Sequence, residues 1–415
     1  MSLPESARSS LRSRWTRFAL VAGPGMVVML ADTDAGSIIT AAQSGARWSY
    51  RLLLLQLVLV PILFIVQELT VRLGVVSRKG HGELIREQYG SFWAWVSVGT
   101  LVLACVGALL SELSGLAGVG LLFGVPAWAT MAVVVAGLTL MAYTGSYLSV
   151  ERIAMAIGAF ELVFLIVAWQ AEPKAGALVS GALEIPWRDT GYLYLVAANI
   201  GAVIMPWMVF YQQSAVVEKG LTPEDLPAAR WDTALGALIT QVIMACVLIA
   251  TAATVGSRGG NATLDTVEQI AQAIVPFLGE RTGRLLFALG MTGSALVATI
   301  VVTLTAARTL GEVLGLKHSL EHAPREAPWF YGFYTVALVA GGLVVASGTN
   351  LVDLSVGVQV MNALLLPIVL GFLYLLARRL PEPYRLGSAY ELVVALVILL
   401  TAGFGVYAGL AGVTG

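Results

Sequence analysis

The chain has 415 residues, 58% of them hydrophobic and only 12% charged, with a mean hydropathy of +0.84 and a formal net charge of −1. Soluble domains carry about a quarter charged residues, so a water-soluble globule of this length would lack the polar surface to cover itself. Disorder, a disulfide scaffold and a global basic field for nucleic acid are excluded with it. Cys105 and Cys246 sit inside apolar runs, where packing is the expected role. The composition specifies an all-α polytopic membrane protein.

A bilayer-spanning helix needs about 20 mostly apolar residues. Apolar runs between charge clusters and Gly/Pro breaks predict eleven spans, near 20–44, 52–73, 92–123, 128–147, 153–169, 192–216, 235–255, 285–304, 329–345, 351–376 and 392–411. The first is too long, and too closely followed by another apolar run, for a cleavable leader. Residues 264–278, with Asp265 and Glu268 among apolar neighbours, read as a short amphipathic helix on the outer surface. Lys and Arg concentrate in cytoplasmic segments. With the N-terminus inside, only Arg47, Arg51, Lys174, Arg188, Arg258, Arg281 and Arg284 of the 24 fall outside, and the odd span count puts the C-terminus outside.

Ionisable groups at membrane depth are costly and mark functional sites. The first span carries two within three residues, Asp32 and Asp34 in Ala31-Asp32-Thr33-Asp34-Ala35-Gly36-Ser37. A continuous helix would hold them about 200° apart. An unwound segment turns both toward one cavity, and Ala35-Gly36 is the expected point of unwinding. The bland alternative is a pair of acids satisfied by neighbouring helices. The sixth span holds a second interruption at Ala202-Val203-Ile204-Met205-Pro206-Trp207, where Pro206 lacks an N–H and frees carbonyls upstream. Broken helices at corresponding positions of two halves point to a transporter site. The expected organisation is therefore 1–190 with spans one to five, 191–380 with spans six to ten as an inverted repeat, and 381–415 with the eleventh span. No residue-level repeat is visible.

The chemistry is that of a cation site. Asp34, the Ser37 hydroxyl and freed carbonyls are hard donors suited to Mg²⁺, Ca²⁺ or Mn²⁺, while the Met205 thioether favours softer transition metals if it binds rather than packs. His81, His318 and His322 all lie in loops, against an intramembrane zinc protease or haem site. Gln359 and Asn362 in the tenth span line the cavity or join helices. Glu112 and Glu161 relay protons or pair structurally. Glu68 and Arg72, spaced i,i+4, are expected to form a structural ion pair.

At these residues the sequence resembles the Nramp family of divalent metal transporters over nearly its whole length. Gly23-Pro24-Gly25 precedes Asp34-Ala35-Gly36-Ser37 at the spacing of the family's Asp-Pro-Gly-Asn motif. The segment 67–76, followed by 82–87, is similar to the family's second helix and following loop. Met205-Pro206-Trp207-Met208 stands in the place of its Met-Pro-His-Asn motif, and Gln359 in that of a cavity-lining glutamine. The resemblance implies a LeuT-type fold of five plus five helices and one C-terminal helix, with helices one and six broken. It also implies a metal held by Asp34, Ser37, the Ala202 carbonyl and Met205, with Asp32, Trp207, Gln359 and Glu112 around the cavity. There are departures. Ser37 replaces the usual asparagine, Ala35 the proline and Trp207 the histidine, Leu109 stands where the family has a proton-handling aspartate, and Asp32 is an extra acid. These changes resemble a divergent Nramp-related branch, some of whose members carry magnesium.

The expected function is import of a divalent metal ion, Mn²⁺ or Fe²⁺ slightly ahead of Mg²⁺, through a cell membrane, with weak or no proton coupling. The metal is substrate, and no cofactor, nucleic-acid partner or enzymatic activity is expected. The competing reading is a sodium-coupled amino-acid transporter on the same fold, where the paired acids would repel a substrate carboxylate.

Overall fold

The structure, a computed structural model, describes Val21 and residues 23–145, 156, 159–258, 263–274, 279–317, 322–348 and 350–414. Its helices in chain order are α1 (Pro24–Asp32), α2 (Ala35–Trp48), α3 (Leu53–Ser77), α4 (His81–Tyr89), α5 (Ser91–Leu122), α6 (Ala127–Thr144), α7 (Val163–Gln170) and α8 (Ala175–Leu183). There follow α9 (Thr190–Val203), α10 (Pro206–Glu218), α11 (Leu226–Thr254), α12 (Val267–Ile274), α13 (Glu280–Leu314), α14 (Pro328–Ala346), α15 (Leu351–Ala377) and α16 (Ser388–Thr414). Among the described residues there is no strand.

Two short interruptions fall where the sequence places charge or proline in lipid. The chain leaves α1 at Asp32 and re-enters helix at Ala35. Asp34 adopts an extended conformation as N-cap of α2, its Oδ1 accepting the Ser37 N–H at 2.6 Å. An N-cap aspartate satisfies a donor that would otherwise be orphaned, so Ala35-Gly36 begins the new helix instead of unwinding. The unwound residues are Thr33 and Asp34, just upstream of the expected point. In the second interruption α9 ends at Val203, Met205 is extended, and Pro206 opens α10 at the one helical position where a missing N–H costs nothing.

The interrupted pair α9–α10 lies at the centre. Its most apolar window is 94% buried, against 17% for α6 at the periphery. Around it, α9 packs on α15 and α16, α10 on α3, α11 on α1, α2 and α3, and α13 along α5. The outer surface is apolar, with Trp169, Val133 and Leu399 at least 70% exposed, as expected of a face covered by acyl chains.

Among the described residues, nine helical stretches are long and apolar enough to cross a membrane, or ten if α7 and α8, bent by 106°, count as one. Eleven were expected. The difference has two causes. The stretch Ala35–Ser77 runs through two expected spans, because α2 and α3 are joined by a 3₁₀ turn at Ser49–Leu52 and α1 alone is short. In the expected span 153–169, residues 153–155, 157 and 158 lie outside the described residues, and the described α7 is only eight residues long before the bend into α8. The expected amphipathic helix at 264–278 is described as far as Ile274. Its apolar face, Ile270, Ala271 and Ile274, is buried against α5, α11 and α13, and Gln43 both donates to and accepts from the Leu264 backbone. Its apolar face is therefore turned to the bundle.

Two further ties fix the other end. Glu68 accepts from Arg72 and from Arg230, each at 2.7 Å, and from Tyr390 at 3.3 Å, extending the expected i,i+4 pair into a junction of α3, α11 and α16. His81 Nδ1 lies 2.9 Å from Gln213 Oε1, while Gln213 Nε2 donates to the Lys79 carbonyl at 2.9 Å. These bonds seat α4 on α10. Burial pushes the His81 imidazole down from 6.5 to about 4, which keeps it neutral.

Candidate functional site

The two interruptions meet. Ser37 Oγ donates to the Ala202 carbonyl at 3.1 Å across 165 residues of sequence. In an unbroken helix that carbonyl would accept the N–H of the residue four positions on. Position 206 is proline and has none to give. The proline therefore frees this oxygen, and the restart of α2 delivers the hydroxyl that reaches it.

Beside this bond stands Asp34, fully buried, with Oδ1 committed to the Ser37 N–H and Oδ2 without a hydrogen-bond partner. Glu112 on α5 reaches the same helix end. Its Oε2 accepts the Ala35 N–H at 2.9 Å, its Oε1 is unpartnered, and its carboxyl is in electrostatic contact with that of Asp34. The N-terminus of α2 thus holds two carboxylates, one from its own N-cap and one from another helix, and its dipole favours both. Gln359 on α15 completes the wall. Its amide and the Ser111 hydroxyl press so closely on Gly36 that a Cβ there would collide with both. Gln359 Oε1 accepts from Asn362 at 3.0 Å, and Gln359 Nε2 and Ser111 Oγ have no partner.

Met205 and Trp207 are fully buried and bonded to each other, the indole Nε1–H donating to Met205 Sδ at 3.1 Å. Asp32 is buried with both oxygens unpartnered, and Glu161, also buried, stands in electrostatic contact with it beside the Thr33 hydroxyl. Leu109 packs against Gly341 and takes no part.

The arrangement has a definite chemical character. Among the described residues no Lys or Arg pairs with Asp32, Asp34, Glu112 or Glu161, so no cation of the chain itself occupies this cluster of buried carboxyl groups. No three His, Cys, Asp or Glu side chains among them converge closely enough to hold an ion alone. A site here must combine carboxylate with hydroxyl, carbonyl, amide or thioether donors. The apolar cavity of about 370 Å³ between α3, α9 and α16 is lined by none of these residues.

Sequence reasoning missed Ser111 and Asp232. Ser111 is one position from Glu112 and looks like an ordinary small helix residue. Asp232 lies just before a predicted apolar run and reads as a loop residue. In the structure it is buried on α11, its Oδ2 accepting the N–H of Gly25 at 2.8 Å and of Gly23 at 3.3 Å, so that it caps α1 from another helix.

Comparison with known proteins gives a consistent result. A family profile described as "Natural resistance-associated macrophage protein-like" matches residues 25–411. The "Divalent metal cation transporter MntH" of Bradyrhizobium diazoefficiens is 26% identical over 302 residues, covering 69% of this chain and 66% of that protein. The protein of the same name from Aeromonas hydrophila is 28% identical over 295 residues, covering 67% and 70%. Among solved structures, an Eremococcus coleocola manganese transporter superposes with a TM-score of 0.75 at 20% identity, covering 97% of this chain and 89% of that one. MhsT in complex with L-phenylalanine superposes with a TM-score of 0.60 at 14% identity, over 94% and 96%. At such identities the structural likeness establishes the fold, which is the LeuT type shared by transporters of different substrates. The profile match runs through both interruptions and nearly the whole chain: this protein is a member of the Nramp family.

Proposed function

We propose that the protein carries a divalent metal cation across the membrane into the cytoplasm, with Asp34, Ser37, the Ala202 carbonyl and Met205 as its ligands. The observation that carries this reading is the Ser37–Ala202 hydrogen bond, which brings the two interruptions together beside the unpartnered Oδ2 of Asp34. The names of its relatives, divalent metal cation transporters, agree with the donor set. Gln359 and Glu112 stand around that set, and Asp32 makes the approach more anionic. Three oxygens and one sulfur suit Mn²⁺ or Fe²⁺ ahead of Mg²⁺, which sheds its waters reluctantly and gains little from a thioether.

The arrangement belonging with this function is eleven spans in two inverted five-helix halves plus one, the first and sixth broken, the N-terminus inside and the C-terminus outside. An amino-acid substrate fits less well. Its carboxylate would meet Asp34 and Glu112 at the helix end where a transporter for such a substrate needs an open dipole. Influx of Mn²⁺, Mg²⁺ and alanine into proteoliposomes tests the reading. The expected result is Mn²⁺ entry that exceeds Mg²⁺ entry, with no alanine entry; alanine uptake without metal uptake would overturn it.

A further inference from the structure

Trp207 stands at the second position of α10, two residues after Met205, and both side chains are fully buried. An indole N–H can only donate, and when buried it needs an acceptor. Here the acceptor is the thioether of Met205, with Nε1 to Sδ at 3.1 Å. The backbone of Met205 is held by its own turn, in which the Met205 N–H points to Met208 Sδ at 3.4 Å.

This bond has consequences for a sulfur that also faces a metal, a premise that rests on the function proposed above. A thioether has two lone pairs and is a weak, polarizable donor. An N–H directed at one of them fixes the orientation of the other. It also places the positive end of a dipole against the sulfur and draws electron density from it. A soft ion, bound largely through sulfur, loses more by this than a hard ion bound through Asp34, Ser37 and the Ala202 carbonyl. We propose that Trp207 is a specificity-determining residue, whose indole N–H weakens Met205 as a soft donor and so holds down the preference for soft over hard divalent cations.

The bland alternative is that sulfur is simply the acceptor nearest to a buried indole, so that Trp207 serves packing alone. The two differ in what a change at Trp207 does to selectivity rather than to total transport. The probe is Cd²⁺ competing with Mn²⁺ for entry into proteoliposomes. Trp207→Phe removes the N–H, and replacing Trp207 with β-(3-benzothienyl)alanine removes it while keeping the ring volume, which guards against a folding defect. Each should raise the Cd²⁺:Mn²⁺ preference about fivefold, the equilibrium factor of one net hydrogen bond. In a Met205→Leu background neither should move it. Met205→Leu alone should lower the preference. If it does not, the reading of Met205 as a ligand fails, and the inference goes with it. If Met205→Leu lowers the preference but the benzothienyl isostere leaves it unchanged, the inference about Trp207 alone is overturned and the indole is packing.

Discussion

The Ser37 hydroxyl reaches the Ala202 carbonyl because Pro206 leaves that carbonyl without its helical partner. The relationship can be reversed by one substitution. Pro206→Ala supplies an N–H at the position where an uninterrupted helix would bond Ala202, and removes the ring that bars a continuous helix there. The expected outcome is a protein at least as stable in a thermal melt but with metal uptake lowered by an order of magnitude or more. Unchanged uptake would mean that the carbonyl is not needed.

Asp34 and Asp32 should behave differently although they are two residues apart. Asp34→Ala removes the carboxylate beside the Ser37–Ala202 bond and an N-cap worth about 1 kcal/mol. Binding of Mn²⁺ should disappear in calorimetry while the protein still folds. Asp32 lies before the break and shares no hydrogen bond with the set, so Asp32→Asn should weaken uptake without abolishing it. Equal severity would make Asp32 a direct ligand.

Proton coupling should be weak or absent. Trp207 carries no titratable group where a histidine would be expected, and Leu109 packs against Gly341 where an aspartate would be. Glu112, in electrostatic contact with Asp34, is the strongest substitute. A pH dye trapped in proteoliposomes should report little acidification as metal enters down its gradient. Metal-dependent acidification that vanishes in Glu112→Gln would reverse this expectation and identify the carrier.

Asp232 should act as a latch on α1. Its carboxylate takes two backbone N–H groups at the start of that helix from 207 and 209 residues away. Asp232→Ala leaves those buried donors without their partner, a loss of about 1–3 kcal/mol. Amide exchange at 23–29 should accelerate by one to two orders of magnitude, with little change in α15. Asp232→Asn, which keeps an acceptor oxygen, should fall between the two.

The seat of α4 should loosen in acid. His81 is neutral when docked, with its pKa pushed down from 6.5 to about 4 by burial. Undocked, it binds a proton at the higher pH. Between about 6.5 and 4 the undocked form therefore holds more protons, and docking weakens as pH falls through that window. Exchange at 81–89, corrected for intrinsic rate, should be faster at pH 5 than at pH 7. His81→Asn, which cannot titrate there, should flatten the difference.

Much of this molecule was legible before any coordinates. The helix boundaries follow the apolar runs to within a few residues, apart from those where α11 and α13 begin and α13 ends beyond the expected spans, and apart from α4 and α8, which no expected span covers. Both interruptions could be located because a carboxylate or a proline in lipid has a local cost that no neighbour removes. Asp34 stood out as a candidate on the same grounds, whereas Met205 became one, and Trp207 stood out, only through the family motif. One local detail was off by a residue or two, since the capping preference of Asp34 outweighs the flexibility of Ala35-Gly36.

What the sequence could not reveal is which groups complete one another. Glu112 bonds the Ala35 N–H from 77 residues away, Ser37 meets Ala202 across 165, and Asp232 caps α1 from another helix. Each is a hydrogen bond between a side chain and a backbone group freed at a helix end, and many polar residues in the chain could have supplied the partner. Apolar runs and breaks are local properties, set by the cost of exposing charge and backbone to lipid, so the sequence by itself determined them. The pairing of freed backbone groups with distant carboxylates depends on how helices dock and rotate against one another. Only the tertiary structure decided that, because side-chain packing fixes helix rotation and no single segment carries that information.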